Sequence, residues 1–362
     1  MKIAFLINDL SSGGAEHATS SIAGYLADNN IDTTILTVNN CEPFYKTNEK
    51  VKIISLASKD IEKNVGIKRM FSTLFKSFNM RKQIKSMGFD IIVGMSNIMA
   101  YYLIFCTAFT KTKCVGTERS DPRHHMNTPI HRILRKLAGK FSNGYIFLSK
   151  EHQSYFPIPR CGFSEIIPNA VYNELAYDIK KPEIRNKTVT AMGRLHDVKA
   201  YDVMIKAFYE FHKKNDEYSL EIYGEGEEEN NLNNLIKSLE AEEYIKILEP
   251  IEDAIVRVAN SSAFLLTSKY EGMSNSLLES MFCAVPCIST DNSPTTRDLI
   301  TNNENGIIVE IGNIEQIASS LDKIANDNEF TEKISQNAYN STRKYSIENI
   351  GKLWIDYFNK LI

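Results

Sequence analysis

The chain reads AFLLTSKYEGMSNSLLESMFC over residues 263–283. The apolar residues 263–268 predict a buried strand and residues 275–283 predict the start of a helix, so Glu271 and Gly272 fall on the loop between them. Open α/β sheets bind their ligands at such loops, where the carboxyl end of a strand leads into a helix. This stretch therefore predicts a parallel α/β sheet with a binding site at its edge.

Two carboxylates flank the start of that helix. Glu271 lies on the loop, and Glu279 lies two turns into the helix. The backbone amides of Met273, Ser274 and Asn275 are exposed at the helix start, where they can receive an anion or hydroxyl groups. Carboxylates accept strongly from sugar hydroxyls. The combination predicts a pocket for a ligand that is both hydroxylated and phosphorylated. The alternative is two solvated glutamates beside an ordinary helix.

Length and composition indicate a soluble protein of two domains. The chain has 362 residues, of which 43% are apolar and 24% are charged, and its net charge is −3. Residues 1–170 hold 22 basic and 13 acidic residues, and the remainder holds 20 and 32, which gives net charges of +9 and −12. A positive first part is typical of a domain that meets an anionic partner.

The cysteines and the first residues favour a cytosolic location. Six cysteines show no paired spacing, which indicates reduced thiols. The chain enters an apolar strand directly after Met1-Lys2, without the architecture of a signal peptide. No charge occurs between Asp90 and Lys111, but Gly94 divides this segment into a strand and a helix, which argues against a membrane span.

Short apolar runs alternate with amphipathic stretches along the whole chain. This pattern predicts an α/β protein with two Rossmann-like, doubly wound parallel-sheet domains, residues 1–170 and 171–345, and a terminal helix at 346–362. The predicted strands are residues 2–7, 32–38, 51–55, 91–95, 113–117 and 144–148, then 189–192, 219–223, 245–248, 263–266, 286–289 and 306–309. The predicted helices include residues 16–29, 99–109, 201–215, 227–239, 251–259, 275–282 and 314–326.

Further turns after predicted strands carry glycine or positive charge. Gly13 and Gly14 stand between the first strand and a helix, where glycine lets the backbone approach a phosphate closely. A plain tight turn fits the same residues. Later, Arg194 offers a planar fork and Lys199 a point charge, a pair suited to a diphosphate. For each of them, an ordinary surface cation is the alternative. Residues 224–226, Gly-Glu-Gly, end another strand at the same edge.

Taken in order, these turns resemble those of the family 4 retaining glycosyltransferases, which have the GT-B fold. The matching segments are Gly-Gly-Ala-Glu (13–16), Gly-Arg-Leu-(x)3-Lys (193–199), Gly-Glu-Gly (224–226), Glu-Gly-(x)6-Glu (271–279) and Asn-Gly-(x)2-Val (305–309). The resemblance implies two Rossmann-like domains that face an interdomain cleft. The N-terminal domain would bind the acceptor and receive the C-terminal helix, and the C-terminal domain would bind a nucleotide-sugar.

The resemblance also implies the roles of individual residues. Arg194 and Lys199 would bind the donor's diphosphate, Glu271 the hydroxyls of its sugar and Glu279 those of its ribose, while the loop after Leu248 would face the base. The donor-binding set implied in this way is Gly13, Gly14, Arg194, Lys199, Leu248, Glu271, Gly272, Met273, Ser274, Asn275 and Glu279.

Two places depart from the family pattern. Family members commonly have Leu-Gly at the loop that faces the base, whereas this chain has Leu248-Glu249-Pro250, which leaves the identity of the base open. Many members also place a His or Asp over the sugar, and residues 117–121, Thr-Glu-Arg-Ser-Asp, occupy that place here. The catalytic candidates are therefore Glu118, Arg119, Arg194, Lys199 and Glu271.

No metal and no cofactor are predicted. The sequence contains no Asp-x-Asp and no His, Asp and Glu cluster with ligand spacing, and the adjacent His124 and His125 would point apart in regular structure. Positive side chains and helix dipoles can stabilise a departing diphosphate without a metal. The resemblance implies retention, with attack on the same face of the sugar from which the diphosphate departs.

The acceptor is expected on the N-terminal domain, where the positive charge lies. Residues 63–85 contain seven basic residues and no acid, with apolar residues at helical spacing. This pattern is typical of an amphipathic helix on an anionic membrane, although packing on the sheet is the alternative. A second basic group, Arg132, Arg135, Lys136 and Lys140, favours the membrane. Nucleic acid is not a predicted partner, because no recognition motif for it is present.

Together these features predict a cytoplasmic enzyme, peripheral on the inner face of the cytoplasmic membrane. It would move a hexosyl or N-acetylhexosaminyl unit from a UDP-sugar to a growing lipid-linked glycan, in bacterial polysaccharide or glycoconjugate synthesis. Two alternatives stay open at this point: a GT-B nucleotide-sugar epimerase, and a non-catalytic subunit that binds a nucleotide-sugar or a glycan.

Overall fold

The computed structural model describes residues 1–56, 78–121, 123–124, 128–154, 163–251 and 254–362. The chain divides into two compact units. The N-terminal unit comprises Met1–Ala170 together with Ile347–Ile362, and the C-terminal unit comprises Val171–Ser346. In the part of the chain that the structure describes, no helix is both long and apolar enough to cross a bilayer.

The N-terminal unit is built on a parallel sheet of seven strands in the order β3-β2-β1-β4-β5-β6-β7. The strands are β1 Lys2–Ile7, β2 Asp32–Thr37, β3 Lys52–Ser55, β4 Ile91–Gly94, β5 Lys113–Glu118, β6 Gly144–Phe147 and β7 Ser164–Ile166. Leu6 is in register with Leu36 on one side and Gly94 on the other, so the strand order reverses between β1 and β4. This reversal defines a doubly wound sheet.

Helices cover both faces of this sheet, which explains why its central strands are almost wholly apolar. They are α1 Gly14–Asp28, α2 residues 78–87, α3 Asn97–Thr107, α4 Pro129–Phe141 and α5 Lys150–Ser154, followed by α14 Ile347–Leu361 at the end of the chain. Trp354 of α14 is fully buried, with its ring centroid 5.8 Å from that of Phe5. Gly351 lets α14 approach α1, because a Cβ there would lie 2.2 Å from the ring of Tyr25.

The C-terminal unit is built on a second parallel sheet, with the order β10-β9-β8-β11-β12-β13. Its strands are β8 Asn186–Met192, β9 Ser219–Tyr223, β10 Ile245–Leu248, β11 Ser261–Leu266, β12 Cys287–Thr290 and β13 Ile307–Val309. Its helices are α6 Leu175–Asp178, α7 Tyr201–His212, α8 Glu229–Ser238, α9 Ala254–Ala259, α10 Asn275–Phe282, α11 Pro294–Leu299, α12 Ile314–Asn326 and α13 Asn328–Thr342, with 3-10 turns at Asp197–Lys199 and Arg343–Tyr345. Val189, Leu265 and Phe208 lie at the centre of its core.

The prediction of two doubly wound parallel sheets is confirmed, and the differences lie in individual elements. Strand β7 was not predicted because it has three partly exposed residues at the edge of the sheet. Helix α13 was not predicted because its apolar pattern is sparse, with Ile334 and Ala338 as its buried apolar residues. Helix α4 was not predicted either, although its basic residues were noted. Most of the predicted basic segment 63–85, and the first part of the predicted helix 251–259, lie outside the described residues.

Candidate functional site

The C-terminal unit gathers its conspicuous polar loops at the carboxyl edge of its sheet. The loops after β8, β9, β11 and β12 leave this edge, and β8 and β11 are the neighbouring strands at which the strand order reverses. Ligands of doubly wound sheets bind at such a switch point. The predicted residues Arg194, Lys199, Glu271 and Gly272 all lie on loops that leave this position.

The two loops on one side of the switch point are pressed together by glycines. A Cβ on Gly224 would lie 2.0 Å from the carbonyl oxygen of Gly193, and a Cβ on Gly226 would lie 2.3 Å from that of Leu195. Gly226 also has a φ of +156°, a conformation that L side chains rarely adopt. The Gly-Glu-Gly segment therefore supports the backbone of the 193–199 loop.

Lys199 and Glu271 meet directly across the switch point. Lys199 Nζ lies 2.5 Å from Glu271 Oε1, and Ser268 Oγ donates to the same oxygen at 2.7 Å. The hydroxyl of Thr267 donates to the carbonyl oxygen of Lys199 at 2.9 Å. Tyr201, whose pKa is raised by burial, donates to the carbonyl oxygen of Gly193 at 3.1 Å. The loop of the cation and the loop of the carboxylate are thus held in a fixed relation.

A second set of hydroxyl groups holds the Glu271–Gly272 loop from the other side. The carbonyl oxygen of Gly272 accepts from Ser293 Oγ at 3.2 Å and from the hydroxyl of Thr295. Ser293 also caps α11 by accepting from the amide of Thr295 at 3.1 Å. Sequence reasoning missed both residues, although Ser293 followed by a proline is a signal for a helix start.

The amides predicted to receive an anion are at the N-terminus of α10. Ser274 caps this helix, with Oγ accepting from the amide of Leu277 at 3.3 Å. Met273 and Ser274 are buried, whereas Asn275 is half-buried. The positive end of the helix dipole therefore lies directly after Glu271 and Gly272.

Glu279 lies inside the unit, on the buried face of α10. Its carboxylate accepts from the backbone amides of Tyr172 and Asn173, and burial raises its pKa to about 7. Sequence reasoning missed these two partners because they are more than a hundred residues earlier in the chain. The structure therefore ties α10 to the first residues of the C-terminal unit.

Arg194 and Leu248 complete the predicted donor set of this unit. Arg194 is exposed and lies between Gly193 and the fully buried Leu195. Leu248 ends β10, and its carbonyl oxygen accepts from the amide of Gly224 at 2.9 Å. The loop expected to face the base is thereby joined to the Gly-Glu-Gly segment.

In the N-terminal unit, Gly13 and Gly14 begin α1 as predicted. The carbonyl oxygen of Gly13 accepts from the amide of His17 at 3.0 Å. The imidazole of His17 stacks on the ring of Tyr45, with centroids 4.1 Å apart, and burial lowers its pKa to about 4. The backbone amides of the glycine turn are the groups that could hold an anion there.

Glu118 is the residue predicted over a sugar. It ends β5 with no exposed surface, accepting from Asn97 Nδ2 at 2.6 Å and from Arg135 Nε at 3.1 Å. Burial raises its pKa to about 7, and the charge of Arg135 opposes this rise. The carboxylate is therefore enclosed within the N-terminal unit, and its contact with a sugar stays a prediction. Arg135 is likewise not the surface cation that the basic group predicted.

Arg119 follows Glu118 and leaves the strand in another direction. Its Nη1 donates to Asn169 Oδ1 at 2.5 Å, and its guanidinium carbon lies 5.5 Å from the ring centroid of Trp354. A guanidinium over an indole ring gains a cation–π attraction. Arg119 thus connects β5 with Asn169, at the end of the Met1–Ala170 segment, and with Trp354 of α14.

No metal centre is apparent within the described ranges. Those residues contain no group of three or more His, Cys, Asp or Glu side chains that could hold a metal ion. His124 is described and His125 is not. The positive groups near the switch point are side chains and helix termini.

Comparison with known proteins identifies the class. Residues 177–341 match the family model described as Glycosyl transferases group 1. An uncharacterized glycosyltransferase of Haemophilus influenzae is 25% identical over 350 residues, covering 97% of each chain. A Campylobacter jejuni α-1,4-N-acetyl-D-galactosaminyltransferase, whose name specifies a diphospho-undecaprenol-linked GalNAc-GalNAc-diNAcBac substrate, is 25% identical over 365 residues, covering 98% of this chain and 97% of its own.

Solved structures show the same fold. A mutant of S. aureus TarM, solved in complex with UDP among other ligands, has a TM-score of 0.82 at 15% identity and covers 99% of this chain and 100% of its own. Anabaena HepE in complex with UDP and glucose has a TM-score of 0.80 at 17% identity and covers 99% of both chains. The predicted resemblance is confirmed: the protein has the GT-B fold of bacterial glycosyltransferases. The similarity to the group 1 family model is carried by residues 177–341.

Proposed function

We propose that the protein is a retaining glycosyltransferase that moves a hexosyl or N-acetylhexosaminyl unit from a UDP-sugar to a lipid-linked glycan. The observation that carries this proposal is the meeting of Lys199 and Glu271 at the switch point, beside the N-terminus of α10. A cation for a diphosphate, a carboxylate for hydroxyl groups and a row of helix amides are the groups that a nucleotide-sugar needs.

The donor's diphosphate is proposed to bind Arg194 and Lys199, with the α10 amides of residues 273–275 nearby. Positive charge at the departing diphosphate stabilises the transition state more than the ground state, because negative charge accumulates there as the glycosidic bond breaks. Backbone amides at the Gly13–Gly14 turn offer a further anion site on the N-terminal unit. No metal is invoked in these roles.

The sugar and ribose are proposed to bind the two carboxylates of the 271–279 segment. Lys199 would leave its ion pair with Glu271 to bind the diphosphate. The Glu271 carboxylate would then accept from the sugar hydroxyls. Glu279 would accept from the ribose hydroxyls, and the loop after Leu248 would face the base. Glu118 and Arg119 are retained as candidates for direct contact.

Retention is proposed to proceed by attack on the face of the sugar from which the diphosphate departs. The acceptor hydroxyl forms the new bond to the anomeric carbon while the bond to the phosphate oxygen breaks. The departing phosphate oxygen takes the proton of the acceptor hydroxyl, so no protein nucleophile is required. The anomeric configuration of the product then equals that of the donor.

The acceptor is proposed to be a polyprenyl-diphosphate-linked glycan, as in the name of the Campylobacter relative. The excess of basic residues in the first 170 residues suits a diphosphate and an anionic bilayer. A cytoplasmic protein in peripheral contact with the inner face of the membrane is the corresponding location. No contact with nucleic acid is proposed.

The test combines a binding screen with a transfer assay. Thermal shifts with UDP-, GDP- and ADP-sugars identify the nucleotide, and incubation of the preferred donor with an undecaprenyl-diphosphate-linked glycan identifies the transfer product by mass spectrometry. Nuclear magnetic resonance of the product then gives the anomeric configuration. An epimerised donor formed without acceptor, an inverted product, or binding without turnover would each overturn the proposal.

Variants connect the activity to the site. Lys199→Ala and Glu271→Ala are expected to lower kcat/KM by about a hundredfold or more, because each removes a group that faces the reacting part of the donor. Lys269→Ala is the matched control, since Lys269 lies near the same loops but pairs with the exposed Asp197 at 2.6 Å. Equal activity of all three variants would contradict the assignment of the site.

A further inference from the structure

Helix α4 presents apolar side chains to solvent along one face. Ile130, Ile133, Leu137 and Phe141 are between 41% and 68% exposed. Their spacing of three and four residues places them in one row on a helix, about 20 Å long for thirteen residues. We call these four residues the apolar row. Side chains of this size are rarely aligned on a free surface without a partner.

The orientation of α4 is fixed by its other face. Arg135, Ala138 and Gly139 are buried, and Arg135 is bound to the enclosed Glu118. The helix also packs against α3, and its N-terminus begins at Pro129 with a threonine cap. The apolar row therefore cannot turn inward without breaking a buried ion pair.

Three cations run beside the apolar row. Arg132, Lys136 and Lys140 are exposed and spaced four residues apart, so they form a second row, which we call the basic row. Each of them directly precedes a member of the apolar row. Helix α4 contains no acidic residue, and within the described part of the chain none of the three cations takes part in an ion pair.

We propose that α4 is the surface by which the protein lies on an anionic lipid bilayer. The apolar row would enter the boundary between headgroups and acyl chains, and the basic row would face the lipid phosphates. Charge complementarity selects this occupant, because a row of exposed cations beside apolar side chains matches the layered chemistry of an anionic membrane. This inference rests on the proposed function, since a peripheral enzyme with a lipid-linked acceptor must reach the membrane.

The surface differs from the membrane segment that the sequence favoured. Most of residues 63–85 lies outside the described residues, and the described Arg81 donates to the carbonyl oxygens of Phe105, Cys106 and Ala108 at the end of α3. Arg81 therefore satisfies carbonyl groups at the C-terminus of α3. Of the second basic group, Arg135 points inward and the other three members form the basic row.

The test is flotation of the full chain with vesicles of phosphatidylglycerol and phosphatidylethanolamine, compared with phosphatidylcholine alone. The wild-type protein is expected to float with the anionic vesicles. Ile133→Asp/Leu137→Asp is expected to bind at least about tenfold more weakly at all salt concentrations, because apolar burial is lost. Arg132→Gln/Lys136→Gln/Lys140→Gln is expected to bind roughly a hundredfold more weakly at low salt.

Matched controls carry the same chemical changes elsewhere. Leu353→Asp alters an apolar residue of α14 that is 43% exposed, comparable to Leu137. Lys214→Gln/Lys237→Gln/Lys246→Gln removes three exposed charges from the C-terminal unit. Both controls are expected to float like the wild type. If the α4 variants also float like the wild type, or if the controls lose binding equally, the inference is overturned.

The membrane role of α4 and the proposed function would be contradicted by different experimental results. UDP-sugar thermal shifts and transfer to a water-soluble acceptor analogue do not require a membrane, so both α4 variants are expected to retain them. A wild-type protein that transfers sugar but ignores all vesicles overturns the role of α4 alone. A protein that floats through α4 but binds no nucleotide-sugar overturns the proposed function alone. Light scattering could instead show a dimer that Ile133→Asp/Leu137→Asp dissociates, while no protein floats with vesicles. That result would assign the apolar row to contact with a second copy of the chain.

Discussion

Lys199 Nζ and Glu271 Oε1 lie 2.5 Å apart, although 72 residues separate them in the chain. The two side chains are 22% and 16% exposed, so water screens the pair only in part. The cation proposed for the diphosphate is therefore paired with the carboxylate proposed for the sugar. If the proposed roles hold, donor binding exchanges this ion pair for contacts with both ends of the glycosyl–phosphate bond.

This exchange predicts opposite effects of Glu271→Gln on UDP and on transfer. Loss of the carboxylate charge releases Lys199, so the affinity for UDP, which lacks the transferred sugar, is expected to rise about two- to fivefold, the range of a partly exposed ion pair. Transfer from a UDP-sugar is expected to fall, because the sugar loses its acceptor. Isothermal titration calorimetry and initial rates measure the two quantities. Weaker binding of UDP by the variant would contradict competition between the two ligands of Lys199.

The close packing of Gly226 against the 193–199 loop predicts that Gly226→Ala distorts the proposed donor site. The new Cβ would lie 2.3 Å from the carbonyl oxygen of Leu195, so the 193–199 loop must shift. We expect a loss of about 2 kcal/mol or more in the free energy of unfolding and weaker UDP binding. Gly312→Ala is the control, because its φ of +78° is also positive but no atom lies within 4 Å of a Cβ. That variant should lose about 1 kcal/mol from strain and bind UDP normally.

The buried carboxylate of Glu279 predicts a pH-dependent stability. Its pKa is raised from 4.5 to about 7, so the folded protein binds this proton more tightly than the unfolded chain does. The stability from this proton is complete below pH 4.5 and is lost as the pH rises through 7. Glu279→Gln is therefore expected to exceed the wild type in stability at pH 8, by up to about 3 kcal/mol, and to equal it near pH 4.5.

Thermal melts at both pH values measure this difference, with the exposed Glu304→Gln as a control that should follow the wild type. A Glu279→Gln variant that is less stable at pH 8 would show that the contacts to the amides of Tyr172 and Asn173 outweigh burial. Activity of Glu279→Gln is expected to fall at pH 8, where the wild-type carboxylate is ionised, because the ribose loses a charged acceptor.

The enclosed pair of Glu118 and Arg135 predicts a strong and non-additive cost. Arg135→Met leaves a buried carboxylate without its cation, which is expected to cost about 3–5 kcal/mol in the free energy of unfolding. Adding Glu118→Gln should recover part of this loss, because a neutral amide is cheaper to bury. Chemical denaturation of the single and double variants measures the coupling. Strictly additive losses would mean that the two side chains do not stabilise each other.

The architecture was predictable because it depends on local pattern. Short continuous apolar runs such as residues 263–266, bounded by turn residues, indicate buried parallel strands, and the terminal helix was predicted at residues 346–362. The three-residue β7 carries too few residues for a pattern, so only its pairing with β6 reveals it.

The contacts of the site were less predictable because they are formed between distant segments. Residue type and spacing singled out Lys199 and Glu271, but nothing in the sequence states that they bind each other. Glu118 was expected over the sugar because residues 117–121 occupy the place where many family members have a His or Asp. Its partners Asn97 and Arg135 come from two other helices, and they make its burial possible. Arg135 was predicted to be a surface cation, and it is buried because it pairs with Glu118.

The return of α14 to the N-terminal unit has a consequence for synthesis. Trp354 packs on Phe5 of the first strand, yet the ribosome makes it after the entire C-terminal unit. The nascent N-terminal unit therefore exposes the surface of β1 and α1 that α14 covers until the C-terminal unit has been synthesised. At about 5–20 residues per second, this interval lasts roughly ten seconds or more. A ribosome stalled before residue 347 would leave an N-terminal unit without α14 and therefore with this apolar surface exposed.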